Sequence, residues 1–199
     1  MSSTRGATDK PALRRAVLSR RAALGEEQRA RAAAAALDAL LPLVEGTPGG
    51  TVAAYLAVGT EPGTAGLLAT LADRHVRVLL PVLLPDHDLD WASAADGVQP
   101  GPYGLLEPAG PRLGRDAVAD CSLVVVPALA VDRAGHRLGR GGGSYDRALP
   151  RTHGLVVALL HDGESVVELP AEPHDAPVDA LVTPSRGLVR LREREGESA

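Results

Sequence analysis

The sequence contains no phenylalanine, and its only aromatic side chains are three tyrosines and one tryptophan. A hydrophobic core therefore has to be built mainly from leucine, valine and alanine. Hydrophobic residues still make up 45% of the chain, which argues against global disorder because enough apolar surface is available for burial. A length of 199 residues is sufficient for one α/β domain with a substantial core.

Residues that form disulfides or bind zinc are also scarce. Cys121 is the only cysteine, which excludes an internal disulfide framework and a CxxC metal site. We expect it to be a small buried residue at the start of a strand. The six histidines form no HExxH motif, so no zinc site is predicted. His161-Asp162 and His174-Asp175 are candidate acid–base pairs, although such pairs are more often exposed loop residues.

Long apolar segments and an excess of positive charge are absent as well. No apolar run approaches the roughly 18 residues that a membrane-spanning helix requires, and the first ten residues lack the apolar core of a signal peptide. The net charge of −4 does not indicate a general nucleic-acid-binding surface. These features predict a cytoplasmic protein that binds neither nucleic acid nor a membrane. We expect it to be a monomer or weak homo-oligomer.

Alternating helical and strand patterns predict a single α/β domain over residues 10–191. A flexible N-terminus (1–9) and a flexible tail (192–199) flank it. Because the strands alternate with helices, we expect a mostly parallel open sheet with helices on both faces. Residues 99–115 hold eight glycines and prolines and are predicted to form a loop. The predicted helices are 10–24, 26–44 and 64–74, and the predicted strands are 51–57, 76–80, 87–92, 123–126, 155–160, 180–182 and 188–191.

Residues 124–147, with the sequence VVVPALAVDRAGHRLGRGGGSYDR, have the composition of a phosphate site. Glycines allow backbone N–H groups to approach an anion, and Arg137 and Arg140 supply charge-assisted hydrogen bonds. A helix beginning near Ser144 would point its positive end at the same anion. Asp132 is a candidate ligand for a magnesium ion that accompanies a nucleotide.

The pattern of glycines alone does not show whether this segment binds phosphate. It lacks the GK[ST] of a Walker loop, and Ser144 stands where a Rossmann fingerprint has its third glycine. A flexible surface turn and a phosphate-binding loop therefore remain equally open from this pattern. In the second case, a Cβ at Gly142 would block close approach of the phosphate or a positive φ angle.

The whole segment resembles the signature of the 5-formyltetrahydrofolate cyclo-ligases, which is close to PGLAFDxxGxRLGxGGGYYDR. Two departures are Ala128 in place of a glycine and Ser144 in place of the first tyrosine. Four further elements occur in the family's order. Lys10, Leu13 and Arg14 resemble KxxLR, Glu61 and Thr64 resemble DExxT, YGLLEP at 103–108 resembles an aromatic-G-I-x-EP segment, and HDAPVD at 174–179 with Thr183 resembles HDxxVDxxxT.

This resemblance implies a Rossmann-like fold preceded by a pair of helices. It also implies ATP- and Mg²⁺-dependent cyclisation of 5-formyltetrahydrofolate to 5,10-methenyltetrahydrofolate. The implied site residues are Arg140 and Tyr145 for catalysis; Lys10, Arg14, Arg137, Leu138, Gly139, Arg140, Gly141, Gly142, Gly143, Ser144 and Tyr145 for ATP; Tyr55, Leu56, Glu61 and Tyr103 for the folate; and Asp146 and Asp179 for the metal.

Two alternatives stay open. One is a homologue that binds nucleotide or folate but has weak or no turnover, a possibility raised by Ser144. The other is a sugar-phosphate isomerase of similar fold, which would need no ATP.

Overall fold

The structure, a computed structural model, describes residues 9–47, 49–102 and 105–192. The predicted flexible segments lie almost entirely outside these ranges. Short 3-10 helices occupy Ala94–Asp96, Arg115–Asp120 and Leu149–Arg151. The α-helices are α1 (Lys10–Ala22), α2 (Glu26–Glu45), α3 (Ala65–Asp73) and α4 (Ser144–Ala148). The strands are β1 (Thr51–Ala53), β2 (Val78–Leu83), β3 (Leu89–Ser93), β4 (Val98–Pro100), β5 (Leu106–Pro108), β6 (Cys121–Pro127), β7 (Ala130–Val131), β8 (Arg137–Leu138), β9 (Leu155–Leu159), β10 (Ala180–Thr183) and β11 (Gly187–Arg190).

Seven of these strands form one central sheet in the order β11-β10-β9-β6-β1-β2-β3. The five inner strands pair in parallel, and the edge strands β3 and β11 are antiparallel to their neighbours. The prediction of a mostly parallel sheet is therefore confirmed. Because parallel strands end at the same edge, the segments after β1, β6 and β9 are brought together there.

Both faces of the sheet are buried, as a parallel sheet requires. On β6, Leu123 and Val125 belong to one hydrophobic cluster, and Val124 and Val126 belong to another, since successive strand side chains point to opposite faces. The helices α2 and α3 cover the first face, while α4 and two of the 3-10 helices cover the second. The prediction of helices on both faces is confirmed.

The two N-terminal helices are also confirmed, with bounds close to those predicted. Pro11 lies in the first turn of α1, where its missing N–H costs no hydrogen bond. In α2, the residues Ala32, Ala36, Leu40 and Val44 recur every four positions and form one buried stripe. The alanine-rich segment therefore lets α2 pack closely on the sheet.

The prediction of a loop over residues 99–115 is wrong for two short stretches, 99–100 and 106–108, and holds for 109–114. Strands β4 and β5 form an antiparallel ribbon here, in which Val98 pairs with Pro108 and Pro100 with Leu106. Prolines are tolerated at the ends of a two-stranded ribbon because few ladder hydrogen bonds depend on their nitrogens. Tyr103 and Gly104, between the two strands, lie outside the described residues.

Several single-residue expectations can also be compared with the structure. Cys121 is buried at the start of β6 as predicted, and burial raises the pKa of its thiol to about 12. His174 is exposed as expected, but the same expectation is wrong for His161. The His161 side chain is buried, and its Nε2 lies 3.0 Å from the carbonyl oxygen of Thr60. No helix in the described ranges is long and apolar enough to cross a membrane.

Candidate active site

A cavity of about 670 Å³ opens at the carboxyl edge of the central sheet. Tyr55 and Leu56, which follow β1, form part of its wall, and Pro127 to Leu129 at the end of β6 form another part. Helix α1, the ribbon of β4 and β5, and the glycine run close the remaining sides. Every predicted site residue within the described ranges lines this cavity except Asp179. Tyr103 lies outside the described ranges. Those lining it are Lys10, Arg14, Tyr55, Leu56, Glu61, Arg137, Leu138, Gly139, Arg140, Gly141, Gly142, Gly143, Ser144, Tyr145 and Asp146.

The glycine run turns sharply between β8 and α4. Gly141 has φ of +108° and Gly143 has φ of +70°, and both values favour glycine over residues with a Cβ. Gly142 has no positive φ, and a Cβ built there would lie 3.6 Å from the hydroxyl oxygen of Ser144, an ordinary contact. Of the two effects expected of a Cβ at Gly142, blocked approach of a phosphate stays a prediction, and interference with a positive φ does not apply. Its neighbours carry that constraint, because they form the turn.

Arginines hold this run in place through its carbonyl oxygens. The Nε of Arg14 donates to the carbonyl oxygen of Gly139 at 2.9 Å, and Nη1 of Arg147 donates to that of Gly142 at 2.9 Å. Carbonyl oxygens would repel a phosphate. Because these arginines bind them, the carbonyl oxygens of Gly139 and Gly142 are held by cations.

Arg140 and Glu61 form an ion pair between the glycine run and the loop after β1. The Nε of Arg140 lies 3.2 Å from Oε1 of Glu61, while Oε2 of Glu61 accepts the backbone N–H of Val58 at 3.0 Å. The Glu61 side chain is only 11% exposed, whereas that of Arg140 is 56% exposed. Glu61 is thus the fixed partner and Arg140 the movable one.

Lys10 enters the cavity from the first turn of α1. Its Nζ lies 3.0 Å from Oδ2 of Asp175 and 3.3 Å from Oε1 of Glu172. Partial burial opposes the ammonium charge, but these two carboxylates outweigh it and raise the pKa of Lys10. The side chain therefore remains a cation at neutral pH, and its charge is already balanced before any ligand arrives.

Two tyrosines contribute ring surface to the cavity. The Tyr55 hydroxyl donates to the carbonyl oxygen of Pro62 at 3.2 Å. Burial, and then the charge of Glu61, raise the pKa of Tyr145, which therefore keeps its phenolic proton at neutral pH. The guanidinium of Arg137 lies 5.8 Å from the centre of the Tyr145 ring, at cation–π distance. Tyr145 is thus a neutral hydrogen-bond donor beside a cation.

Comparison with known proteins decides the family. A sequence model of the 5-formyltetrahydrofolate cyclo-ligase family matches residues 7–184. The chain belongs to this family. The 5-formyltetrahydrofolate cyclo-ligase of Mycolicibacterium smegmatis is 44% identical over 152 residues, which cover 72% of this chain and 78% of the relative. That of Escherichia coli K12 is 34% identical over 147 residues, which cover 68% and 79%.

Solved structures agree with this assignment. The NMR structure of Aquifex aeolicus 5,10-methenyltetrahydrofolate synthetase matches with a TM-score of 0.79 at 30% identity, over 96% of this chain and 99% of that one. The Mycoplasma pneumoniae 5,10-methenyltetrahydrofolate synthetase, at 18% identity, shares the fold with a TM-score of 0.71 over 87% and 98%. The predicted family, fold class and enzyme class are confirmed.

The two carboxylates that the cyclo-ligase resemblance implies as metal ligands are placed differently. Asp146 lines the cavity, and its Oδ1 accepts from Arg137 at 2.8 Å and from the backbone N–H of Ala176 at 3.2 Å. Asp179 is buried outside the lining, and its Oδ2 accepts the backbone N–H of Val156 at 2.8 Å. The two carboxylates therefore have different surroundings: Asp146 faces the cavity, and Asp179 is bound to the start of β9. Their role as metal ligands stays a prediction.

Asp132, the other candidate magnesium ligand, lies outside the cavity lining and is already bound by groups of the protein. Its carboxylate is buried and accepts the backbone N–H groups of Ala134, His136 and Leu169 at 2.9–3.0 Å, and it also pairs with the His136 ring. Burial opposes the charge, but these bonds outweigh it and lower the pKa of Asp132. The residue organises the turn between β7 and β8. The described residues contain no group of three or more His, Cys, Asp or Glu side chains arranged to hold a metal ion.

Arg21 is one of several lining residues that were not predicted as site residues from the sequence. Arg21 is 1% exposed and forms a two-pronged ion pair with Glu164, with both N–O distances at 2.7 Å. Glu164 also accepts the backbone N–H of His161 at 2.8 Å. The pair joins α1 to the segment after β9. The available signal was that Arg21 follows Val17 by one helical turn, on the apolar face of α1.

We predict that Arg21→Met lowers the free energy of unfolding by about 3–5 kcal/mol, because it leaves the buried Glu164 charge without a partner. Arg21→Met combined with Glu164→Gln should lose less than the sum of the two single changes. Urea denaturation of all three variants measures these effects. Arg20→Met, at an exposed position one residue away, is the control and should change stability by less than about 0.5 kcal/mol. Additive losses would show that the two charges do not stabilise each other.

Proposed function

We propose that this chain catalyses the ATP- and Mg²⁺-dependent cyclisation of 5-formyltetrahydrofolate to 5,10-methenyltetrahydrofolate. The family assignment favours this reaction over a sugar-phosphate isomerase. The observation that carries the proposal is that a single cavity joins a cationic glycine run to an apolar wall. A reaction between a nucleotide and a folate needs both surfaces within reach of each other.

The cationic part of the cavity fits the phosphates of ATP. Arg14, Arg137 and Arg140 surround the glycine run, and Lys10 approaches from α1. Each of these cations already has an acceptor in the protein. Phosphate oxygens would compete for them with carboxylates and carbonyl groups, so the arrangement is preorganised for anions.

The apolar part fits the ring system of the folate. Tyr55 and Leu56 contribute flat and aliphatic surface, and Glu61 supplies an acceptor fixed by Val58. The pterin ring carries several N–H donors, for which a carboxylate is a suitable partner. Tyr103 is expected to add a second ring, although it lies outside the described residues.

The chemical difficulty is that a formamide carbon is a poor electrophile and its oxygen a poor leaving group. In the proposed reaction the formyl oxygen attacks the γ-phosphorus of ATP, the bond to ADP breaks, and the oxygen becomes part of a phosphate ester. N10 of the same folate then attacks the activated carbon and loses its proton, and inorganic phosphate leaves. In this proposal Arg140 and the neutral Tyr145, which both line the cavity, stabilise charge on the transferred phosphoryl group.

Magnesium fits this site in one respect. A Mg²⁺ ion bound with a nucleotide takes most ligands from phosphates and water and needs only one or two carboxylates. Asp146 lines the cavity and would hold it there. The ion would neutralise phosphate charge during transfer. For Asp179 to be a second ligand, it would have to release the backbone of Val156, and its role stays a prediction.

The reaction itself can be tested directly. Protein mixed with Mg-ATP and 5-formyltetrahydrofolate should form methenyltetrahydrofolate, followed by its absorbance, in equal amounts with ADP and phosphate. Omitting ATP should abolish the product. A folded protein that binds both substrates without forming product would instead be the catalytically weak homologue. Activity on a sugar phosphate without nucleotide would support the isomerase.

Lys10→Ala should weaken ATP binding by about ten- to a hundredfold, because a charge-assisted hydrogen bond contributes about 1.5–3 kcal/mol. The variant also leaves Asp175 and Glu172 facing the nucleotide without their cation. Calorimetric titration of ATP measures the loss, while folate affinity should change little. Arg15→Ala, an exposed neighbour on α1, is the matched control. Unchanged ATP affinity in Lys10→Ala would make this lysine a solvated charge at a helix start.

Gly142→Ala should lower ATP affinity by about ten- to a hundredfold while the melting temperature barely moves. A methyl group fits the ligand-free loop there, so the variant tests only whether a phosphate approaches this backbone. Gly143→Ala is the comparison, since its positive φ should make it lose stability as well. Full ATP affinity in a folded Gly142→Ala variant would remove this position from the phosphate-binding loop.

A further inference from the structure

The Arg21 guanidinium has hydrogen-bonding capacity that the protein does not use. An arginine carries five N–H donors. Nε and one N–H of Nη2 bind Glu164, and Nη2 also donates to the carbonyl oxygen of Ala128 at 2.6 Å. These bonds account for three donors. The two N–H groups of Nη1 have no acceptor among the residues that the structure describes.

The unused donors face the cavity. Arg21 is 1% exposed, yet it is one of the residues lining the cavity. Nη1 has no acceptor among the described residues but is not fully buried, so it is in contact with solvent. Its small exposure is therefore to the cavity, because the rest of the side chain is enclosed by α1, Ala128 and Glu164.

The position along α1 separates Arg21 from the phosphate end. Lys10, Arg14 and Arg21 lie on one face of the helix, since four and seven residues are close to one and two turns. At 1.5 Å per residue, Arg21 lies about 10 Å along the helix axis from Arg14, which binds the glycine run. A group that reaches Nη1 is thus on the folate side of the cavity.

The charges around Nη1 determine what kind of ligand group can bind there. The Glu164 carboxylate neutralises Arg21 at 2.7 Å, so a second anion would meet a carboxylate behind the guanidinium. A neutral oxygen acceptor on a flat ring meets no such repulsion, and Tyr55 and Leu129 contribute apolar surface to the same cavity. A ring carbonyl satisfies these conditions. An amino group does not, because its N–H donors would face the N–H donors of Nη1.

We propose that Nη1 of Arg21 donates to the carbonyl oxygen of the pterin ring, and that Arg21 thereby makes the site select an oxo-pteridine over an amino-pteridine. This inference rests on the proposed function. Arg21 then has two roles. Its Nε and Nη2 bind Glu164 and hold α1 in position, and its Nη1 binds the carbonyl oxygen of the substrate.

The test compares the affinities for 5-formyltetrahydrofolate and for its analogue with an amino group in place of the ring carbonyl. Wild-type protein should prefer the carbonyl compound by about ten- to a hundredfold in calorimetric titration. Arg21→Lys retains a cation beside Glu164 but has no Nη1, so the preference should fall several-fold. Arg20→Lys, exposed on the same helix, should keep both the wild-type preference and the wild-type ATP affinity.

A purely structural role for Arg21 would weaken both pteridines equally, and an unchanged preference in Arg21→Lys would overturn the proposal. The absence of any preference in wild-type protein would do the same. If Arg21→Lys does not fold, Arg21→Gln with Glu164→Gln replaces the ion pair by two amides and gives the same comparison. Wild-type protein that binds neither pteridine would overturn the proposed function, and this inference with it.

Discussion

The site depends on one buried ion pair, between Arg21 on α1 and Glu164 after β9. Helix α1 does not cover a face of the central sheet; with Val17 and Leu129 it forms a small separate cluster at the carboxyl edge. Such a cluster buries little apolar area. The ion pair and its bond to Ala128 therefore help to set where α1 lies, and α1 in turn carries Lys10 and Arg14, two of the cations of the nucleotide side.

A second constraint is that the cations of the cavity are balanced by groups of the protein. Lys10 is paired with Asp175, and Arg140 with Glu61. A cluster of unpaired cations around one loop would repel each other and destabilise the fold. The acceptors hold the cations in place until phosphates compete for them. We expect Arg140 to exchange its carboxylate partner for a phosphate at the lowest free-energy cost, because its side chain is the most exposed.

The agreement between sequence and structure was closest where a local pattern has one physical solution. The four-residue stripe of α2 and the apolar strands β6 and β9 had their type and approximate bounds predicted. Where local chemistry allowed two solutions, prediction failed. Prolines around residues 99–115 indicated a loop but are compatible with a two-stranded ribbon, and Asp132 has the chemistry of a metal ligand but organises a turn.

The sequence by itself determined the family, the alternation of helices and strands, and about half of the residues that line the cavity, because each is encoded in a short segment. Only the tertiary structure decided which of them meet. Asp146 and Asp179 look equivalent in the sequence, yet one faces the cavity and the other binds the start of β9. Arg21 and Glu164 are 143 residues apart, and no local pattern pairs them. Their contact depends on the order of the strands, which is set by packing over the whole sheet.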